Sequence, residues 1–338
     1  MRRFDGSVRN AFATVIYDRL TSKNSVEPIS SSVRLDDKTC LVTGASSGIG
    51  KAVAIEFAAR GARVVVACRT GVPENCDEIK RYSGSDAVDA IHVDLADLDS
   101  VRHLCDTLRD QGLRLDIAVL NAGLSTISAR RSKQGYETMF AVHFLANRYL
   151  VKRFLEDGVI NPGVDAASGD VPRLIFVSSE AHRSGESFNF SDLGTFHEFG
   201  RKDALLYYGF SKMVLCAYAC ELSRRLNPAG TLSVAVHSLC PGAVATNIAR
   251  EAPRSIQWLV GPFMRTVFQS PEAAINPIIY LACASEPGYR TGMYLHCMQE
   301  KSVSPHASDP SNGRVLWELS DEMISNYEMP QGSQDGSS

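Results

Sequence analysis

The chain has 338 residues, 44% of them hydrophobic and 22% charged, an ordinary balance for a water-soluble globular protein with room for one generous core. A net charge of -3 gives no reason to expect a nucleic-acid partner, and no stretch approaches the roughly 20 apolar residues of a membrane span. Nine cysteines without a Cys-x-x-Cys pair fit a reduced, intracellular and cytoplasmic setting, and eight histidines without a His-x-x-x-His pair point to no metal centre.

Residues 1–37 read as an extension ahead of the domain. Phe4, Val8, Phe12, Val15, Ile16 and Leu20 share one helical face, with Arg2, Arg3, Arg9 and Arg19 elsewhere. Such a face suits a membrane-surface helix, an organelle presequence, or a helix packed on its own domain or on a partner subunit. Asp5 and Asp18 speak against the first two, so targeting is not assigned and peripheral membrane contact stays open.

Thr39 to Val42 has the length and β-branched content of a buried parallel strand, and Ile49, Val53 and Phe57 then repeat at helical spacing. Between them runs Thr43-Gly44-Ala45-Ser46-Ser47-Gly48-Ile49-Gly50. Glycine lets a strand-to-helix turn bend tightly and come close to a ligand, while the free N–H groups at the helix start attract a pyrophosphate. Gly61 ends the helix and Ala62 to Cys68 makes a second strand, completing a βαβ unit for a dinucleotide. An acidic side chain at the end of that strand would bind the ribose 2′-hydroxyl of NAD. Here Cys68 is followed by Arg69, whose guanidinium suits a 2′-phosphate, so NADP(H) is expected ahead of NAD(H).

Gly71 to Ser85 reads as a polar loop around Pro73 with room for a short helix. Ala90 to Val93 predicts a third strand ending at Asp94-Leu95, and Asp97 or Asp99 is placed to cap a helix through Leu108. Leu115 to Leu120 is a fourth strand closing on Asn121-Ala122-Gly123. A long helical pattern follows from Tyr136 to Glu156, then an exposed loop over 158–172. Leu174 to Val177 is a fifth strand ending at Ser178-Ser179, Tyr208 to Leu226 a helix, Leu232 to Leu239 a sixth strand and Met293 to Cys297 a last one. Strands alternating with helices predict an α/β, Rossmann-type doubly wound parallel sheet, one domain over 38–329 with helices on both faces, and a disordered tail over 330–338.

The chemistry sits on the helix after the fifth strand, in Tyr208-Gly209-Phe210-Ser211-Lys212. Tyr208 and Lys212 stack on one helical face, where an ammonium favours the phenolate and lowers the tyrosine pKa from about 10. Proton exchange by such a phenol is worth about 10² to 10⁴-fold in rate. A lone Tyr-x-x-x-Lys is common on exposed helices. Its weight here comes from following the glycine turn, Asn121-Ala122-Gly123 and Ser178-Ser179 in that order.

In this arrangement the chain resembles the short-chain dehydrogenase/reductase family over about residues 36–325. The resemblance implies that Ser179 hydrogen-bonds the substrate oxygen, that Tyr208 is the acid or base, and that Lys212 lowers its pKa and holds the nicotinamide ribose, with Ser178 as buried support. It also implies that Asp94, with Leu95, meets the adenine and that Asn121, with Ala122 and Gly123, lies beside the adenosine ribose. Pro241-Gly242-Ala243-Val244-Ala245-Thr246 resembles the segment over the nicotinamide, with Val244 and Thr246 near the carboxamide. One position departs. Where the family usually has an asparagine that holds a relay water, the pattern Phe140-Ala141-Val142-His143-Phe144-Leu145 puts His143, and Asn147 is a different position. A histidine offers the same backbone carbonyl; the alternative is an altered or weakened site.

Phe188, Phe190, Phe196 and Phe199 lie between Ser179 and Tyr208, and Ile256, Trp258, Leu259, Val260, Phe263, Met264, Val267 and Phe268 follow Thr246, up to a helix start at Ser270-Pro271-Glu272. Both stretches fit an apolar cleft with a lid, or equally core and subunit-contact surface. Together with Ala67-Cys68-Arg69, Ser178-Ser179-Glu180-Ala181-His182 and Leu316-Trp317-Glu318-Leu319-Ser320 they resemble the retinol dehydrogenase-like and WW-domain oxidoreductase-like branch. That branch implies small lipophilic alcohols and carbonyls such as retinoids or steroids. The expectation is an NADPH-preferring oxidoreductase with no nucleic-acid partner, a homodimer being open. The alternative is a dinucleotide-binding regulatory or scaffold protein without turnover.

Overall fold

β-Branched runs too short for helices pair side by side, and the computed structural model gathers eight of them into one sheet in the order β3-β2-β1-β4-β5-β6-β7-β8. It describes residues 25–163, 171–185, 187–242 and 274–329. The expectations for residues 1–24, for Val244 and Thr246, for the apolar stretch from Ile256 to Phe268 and its helix start, and for the tail lie outside the described residues. β1 (Thr39–Thr43), β2 (Arg63–Cys68), β3 (Val88–His92), β4 (Ile117–Leu120), β5 (Arg173–Val177), β6 (Ala235–Cys240) and β7 (Tyr294–His296) run parallel; β8 (Gln299–Lys301) returns antiparallel to β7.

Alternate strand residues feed two cores. Leu41, Val65, Leu120 and Phe176 pack with α3 (Leu98–Asp110), α5 (Ala146–Glu156) and α6 (Ala204–Leu226), whereas Val42, Val64, Val119 and Ile175 pack with α1 (Gly48–Ala59), α2 (Val72–Ser83) and α7 (Asn276–Cys283). Helices on both faces explain why the central strands are apolar at nearly every position. The chain leaves β1 toward β2 and β3, then crosses back to β4 on the other side of β1. Loops diverge at such a switch point, and a crevice opens at the carboxyl ends of the strands.

Several elements differ from the sequence expectation. The polar stretch around Pro73 is the regular helix α2, because Pro73 sits in the first turn, Gly71 and Gly84 bound it in left-handed conformations, and Cys76 and Ile79 alone are buried. Its other faces are in solvent, which made it look like a loop. β8 is a strand of three polar residues with no apolar pattern to announce it. Residues 25–37, read as part of an extension, are held to the domain: Val26 N–H donates to the Met298 carbonyl at 2.7 Å, and Arg60 donates to the Ser30 and Val33 carbonyls at 2.7 and 2.8 Å. Among the described residues no helix is long and apolar enough to cross a membrane, and no group of three or more His, Cys, Asp or Glu could hold a metal ion. All nine cysteines are free thiols.

The chain ends in α8 (Ser285–Gly288), α9 (Pro305–Ser308) and α10 (Pro310–Glu328). Asp309 caps α10 by accepting the Ser311 N–H, with Pro310 in the first turn. Two guanidiniums lie over the Trp317 ring, that of Arg148 from α5 at 3.9 Å and that of Arg225 from α6 at 4.4 Å, and Arg148 also pairs with Asp321. Replacing the indole removes both cation–π contacts and the packing beneath them. Trp317→Ala is expected to cost about 2 kcal/mol, read as a lower denaturant midpoint at unchanged slope; an unchanged midpoint would mean that α10 adds nothing to stability.

Candidate active site

The carboxyl ends of β1 and β4 are locked together by Asn121. Its Nδ2 donates to the Thr43 carbonyl at 2.9 Å, while its N–H and that of Ala122 donate to Thr43 Oγ1 at 3.0 and 3.1 Å. Two glycines permit this. A Cβ on Gly44, whose φ is +71°, would stand 2.8 Å from Ala122 Cα, and one on Gly50 would stand 2.5 Å from both Asn121 Nδ2 and the Gly44 carbonyl oxygen. α1 then starts at Gly48 with Ser47 extended, no side-chain cap and no acidic residue in its first turn. Its first N–H groups are thus left for an anionic group, and a tight turn without side chains at Gly44, Gly48 and Gly50 fits a dinucleotide pyrophosphate.

Other predicted cofactor residues fall around this turn. Arg69 is exposed just after β2, and its guanidinium pairs with no carboxylate of the described residues. Asp94 shapes the exit of β3, its Oδ1 accepting the Ala96 N–H at 2.9 Å, with Leu95 buried beside it. Pro241 and Gly242 follow β6, and Gly242 has a φ of +89°.

Ser179, Tyr208 and Lys212 do converge. The Ser179 hydroxyl is half-buried just beyond β5, accepts the Ala181 N–H at 3.2 Å and lies near enough to the Tyr208 phenol to favour its phenolate. Lys212 is buried; its Nζ donates to the Val177 carbonyl at 3.0 Å and stands 5.9 Å from the centre of the Tyr208 ring. A Cβ on Gly123 would lie 3.4 Å from that Nζ and 3.2 Å from His143 Nε2, which brings Gly123 into the same cluster. Ser178 is buried support, as expected, its Oγ 3.1 Å from Cys216 Sγ. The residue that sequence reasoning missed is Gly209. A Cβ there would stand 2.7 Å from both the Ala181 carbonyl oxygen and Ser184 Oγ, so only glycine lets α6 close on the turn that carries Ser179. The signal was in the motif, between Tyr208 and Phe210.

The protonation pattern corrects one expectation. Burial pushes the Tyr208 phenol up to about 12, and the Ser179 hydrogen bond only partly opposes it. Burial also pulls Lys212 down to about 8. The ammonium does not lower the phenol here, because it is turned to the Val177 carbonyl and desolvation outweighs a partner at that distance.

His143 lies in a π-helical turn (Ala141–Leu145) between α4 (Thr138–Phe140) and α5. Its fully buried ring accepts the Leu124 N–H on Nε2 at 3.0 Å, so the proton is on Nδ1, which donates to Ser211 Oγ at 2.8 Å. Ser211 in turn donates to the Tyr208 carbonyl at 2.8 Å, and the two rings meet edge-on with centres 5.6 Å apart. Burial, with Lys212 nearby, holds the imidazole pKa well below its usual value. Asn147, set aside as a different position, donates from Nδ2 to the His143 carbonyl at 2.8 Å. The ring therefore braces α6, and the carbonyl is held one turn on.

The aromatic stretch before Tyr208 divides. Phe188 and Phe190 stack 5.0 Å apart against the main core, whereas Phe199 stacks on Tyr207 at 4.2 Å in a small cluster with Leu124, Met139 and Tyr208.

Residues 38–190 match the family model of the short chain dehydrogenases. Over 303 residues the chain is 32% identical to retinol dehydrogenase 13 of Mus musculus, spanning 87% of this chain and 86% of that protein. Over 297 residues it is 33% identical to the WW domain-containing oxidoreductase of Homo sapiens, spanning 85% of this chain and 68% of that protein. Among solved structures, a Beutenbergia cavernae chain holding NADP at low occupancy is 26% identical with a TM-score of 0.58, over 79% of this chain and 97% of that one. An uncharacterized Mycobacterium paratuberculosis protein has the same fold, at 23% identity and a TM-score of 0.66 over 88% of this chain and 98% of that one.

Three buried histidines, His143, His182 and His237, have folded pKa values lowered by burial, that of His237 to about 3. Below about 6.5 the unfolded chain binds protons that the folded chain does not, so their contribution to stability is present above that pH and lost as pH falls. Urea midpoints are expected to drop between pH 7.5 and 5.5, with a slope approaching about 1.4 kcal/mol per pH unit for each of His143 and His237, and with His182 adding in the same direction. A flat profile over that window would contradict the buried neutral rings.

Proposed function

We propose that this chain, which belongs to the short-chain dehydrogenase/reductase family and to the branch of its retinol dehydrogenase and WW domain oxidoreductase relatives, interconverts a carbonyl and an alcohol on a small apolar substrate with NADP(H). Family membership makes the chain an oxidoreductase. The finer reading rests on one observation: the Tyr208 phenol and the Ser179 hydroxyl come together at the carboxyl end of the sheet, closely enough for the serine to favour the phenolate, beside a glycine turn shaped for a pyrophosphate.

The turn from Gly44 through Gly50, with Ser46, Ser47 and Ile49, would hold the dinucleotide, Arg69 its 2′-phosphate, and Asn121, Gly123 and Lys212 the ribose side of the crevice. When bound, NADPH supplies a hydride to a carbonyl carbon, and NADP takes one from an alcohol. Ser179 orients the substrate oxygen by donating its hydroxyl proton. Tyr208 gives that oxygen its proton in reduction and takes it back in oxidation. A phenol held at about 12 keeps its proton at neutral pH, so it is ready as a donor. Lys212, with a pKa of about 8, is charged at pH 7 and, held by the Val177 carbonyl, would bind the nicotinamide ribose. Leu124, Met139 and Phe199 pack with Tyr208 in an apolar cluster, surroundings that support a lipophilic substrate. The NADP in the Beutenbergia cavernae chain supports the cofactor choice.

With NADPH and a panel of apolar aldehydes and ketones, Tyr208→Phe is expected to lower kcat by at least about 10²-fold while NADPH binding is retained. Equal turnover in the variant would overturn the role of the phenol, and NADPH binding by the wild type without turnover on any substrate would favour the regulatory reading. Arg69→Ala is expected to weaken NADPH by about ten-fold and leave NADH unchanged, the loss of one charge-assisted bond. An unchanged ratio of the two cofactors removes the phosphate argument.

A further inference from the structure

His182 is used by no step of the proposed reaction, yet its ring is fully buried in the short turn Glu180–Arg183 that follows Ser179. Its Nε2 accepts the Ser304 N–H at 3.1 Å, so the ring proton is on Nδ1. From Nδ1 it donates to the Ser179 carbonyl at 2.8 Å, an oxygen that also accepts the His182 N–H at 3.0 Å. Tyr294 of β7 stands edge-on to the ring, centres 5.1 Å apart, and donates its hydroxyl to Glu180 Oε1 at 2.8 Å. Burial keeps the imidazole neutral; the Ser179 carbonyl and Glu180 oppose it, and Arg183 with His296 of β7 reinforces it. Ser304 immediately precedes α9, and α9 and α10 both pack on α6, the helix of Tyr208 and Lys212.

Ser179 thus has its hydroxyl facing Tyr208 and its carbonyl gripped from behind by a ring that is itself anchored on the C-terminal segment. We propose that His182 is a positioning residue for this reaction: it joins the main chain of Ser179 to Ser304, so that the place of the serine hydroxyl, and with it the orientation of the substrate oxygen, depends on the C-terminal segment. The inference rests on the proposed roles of Ser179 and Tyr208. A displacement of about 1 Å in a substrate-orienting group can cost about 10²-fold in rate.

The test uses the full chain with NADPH and a carbonyl that the wild type reduces. His182→Phe keeps the ring volume and removes both hydrogen bonds; His182→Asn keeps a donor for the Ser179 carbonyl and loses the acceptor for Ser304. His182→Phe is expected to lower kcat by about ten-fold to a hundred-fold with NADPH binding unchanged, and His182→Asn to fall between it and the wild type. Wild-type kcat in either variant, or an Asn variant no better than the Phe one, overturns the proposal. Should His182→Phe not fold, the Asn variant and a second measurement decide. Hydrogen exchange at the Ser304 amide is expected to quicken in His182→Asn, and unchanged exchange overturns the link whether or not any substrate is found. A wild type that reduces no carbonyl refutes the proposed function alone.

Discussion

The close approach of α6 to the turn after β5 is the constraint on which the site depends. At Gly209 the helix comes so near that a methyl group would strike the Ala181 carbonyl and the Ser184 hydroxyl, each at 2.7 Å. That approach brings the Tyr208 phenol to the Ser179 hydroxyl from a different element of the chain. The same helix carries Lys212 toward Val177 and Ser211 toward His143, so one interhelical distance sets four side-chain positions. Glycine at the switch point plays the matching part at the other edge of the crevice, where Gly44 and Gly50 let the β1 turn lie against Asn121 and Ala122.

Desolvation, more than charge pairing, governs protonation in this cluster. Tyr208 moves up, Lys212 down, and His143 stays neutral, all with burial as the leading cause. A neutral His143 can accept the Leu124 N–H only because it is not protonated on Nε2, so the same burial that fixes its charge also fixes its tautomer and its grip on the Ser211–Tyr208 stretch. His182 repeats the scheme on the serine side: each ring has Nε2 on a backbone N–H, and Nδ1 donates to the Ser179 carbonyl in one case and to the Ser211 hydroxyl in the other.

Much of the fold was legible because buried parallel strands must be nearly continuous apolar runs, and β1, β2, β4 and β5 are; the order of the motifs then identified the family. α2 was less so, since Cys76 and Ile79 are the whole of its buried face. α10 carried a readable signal in Asp309-Pro310, but β8 had none. At the candidate site, the Tyr208–Lys212 pair could be read from spacing and Ser179 from the family resemblance. Their protonation could not, because the depth at which a side chain lies is a property of the packed molecule and not of the interval between residues. The role of Asn147 was hidden for a similar reason: it depends on a carbonyl in a π-helical turn, and the apolar pattern from Tyr136 to Glu156 looks the same with or without one.

That turn has a consequence for how the long helix can vary. A π turn amounts to one residue inserted into an α-helix, so the segments before and after it are rotated by about 100° from where an unbroken helix would set them. Deleting one residue between Ala141 and Leu145 would tidy the backbone ladder and swing the face bearing Met139 and Phe140 away from its present neighbours. Adding one would do the reverse. The local irregularity therefore acts as a phase lock, tolerant of exchanged side chains along the helix and intolerant of any change in its length.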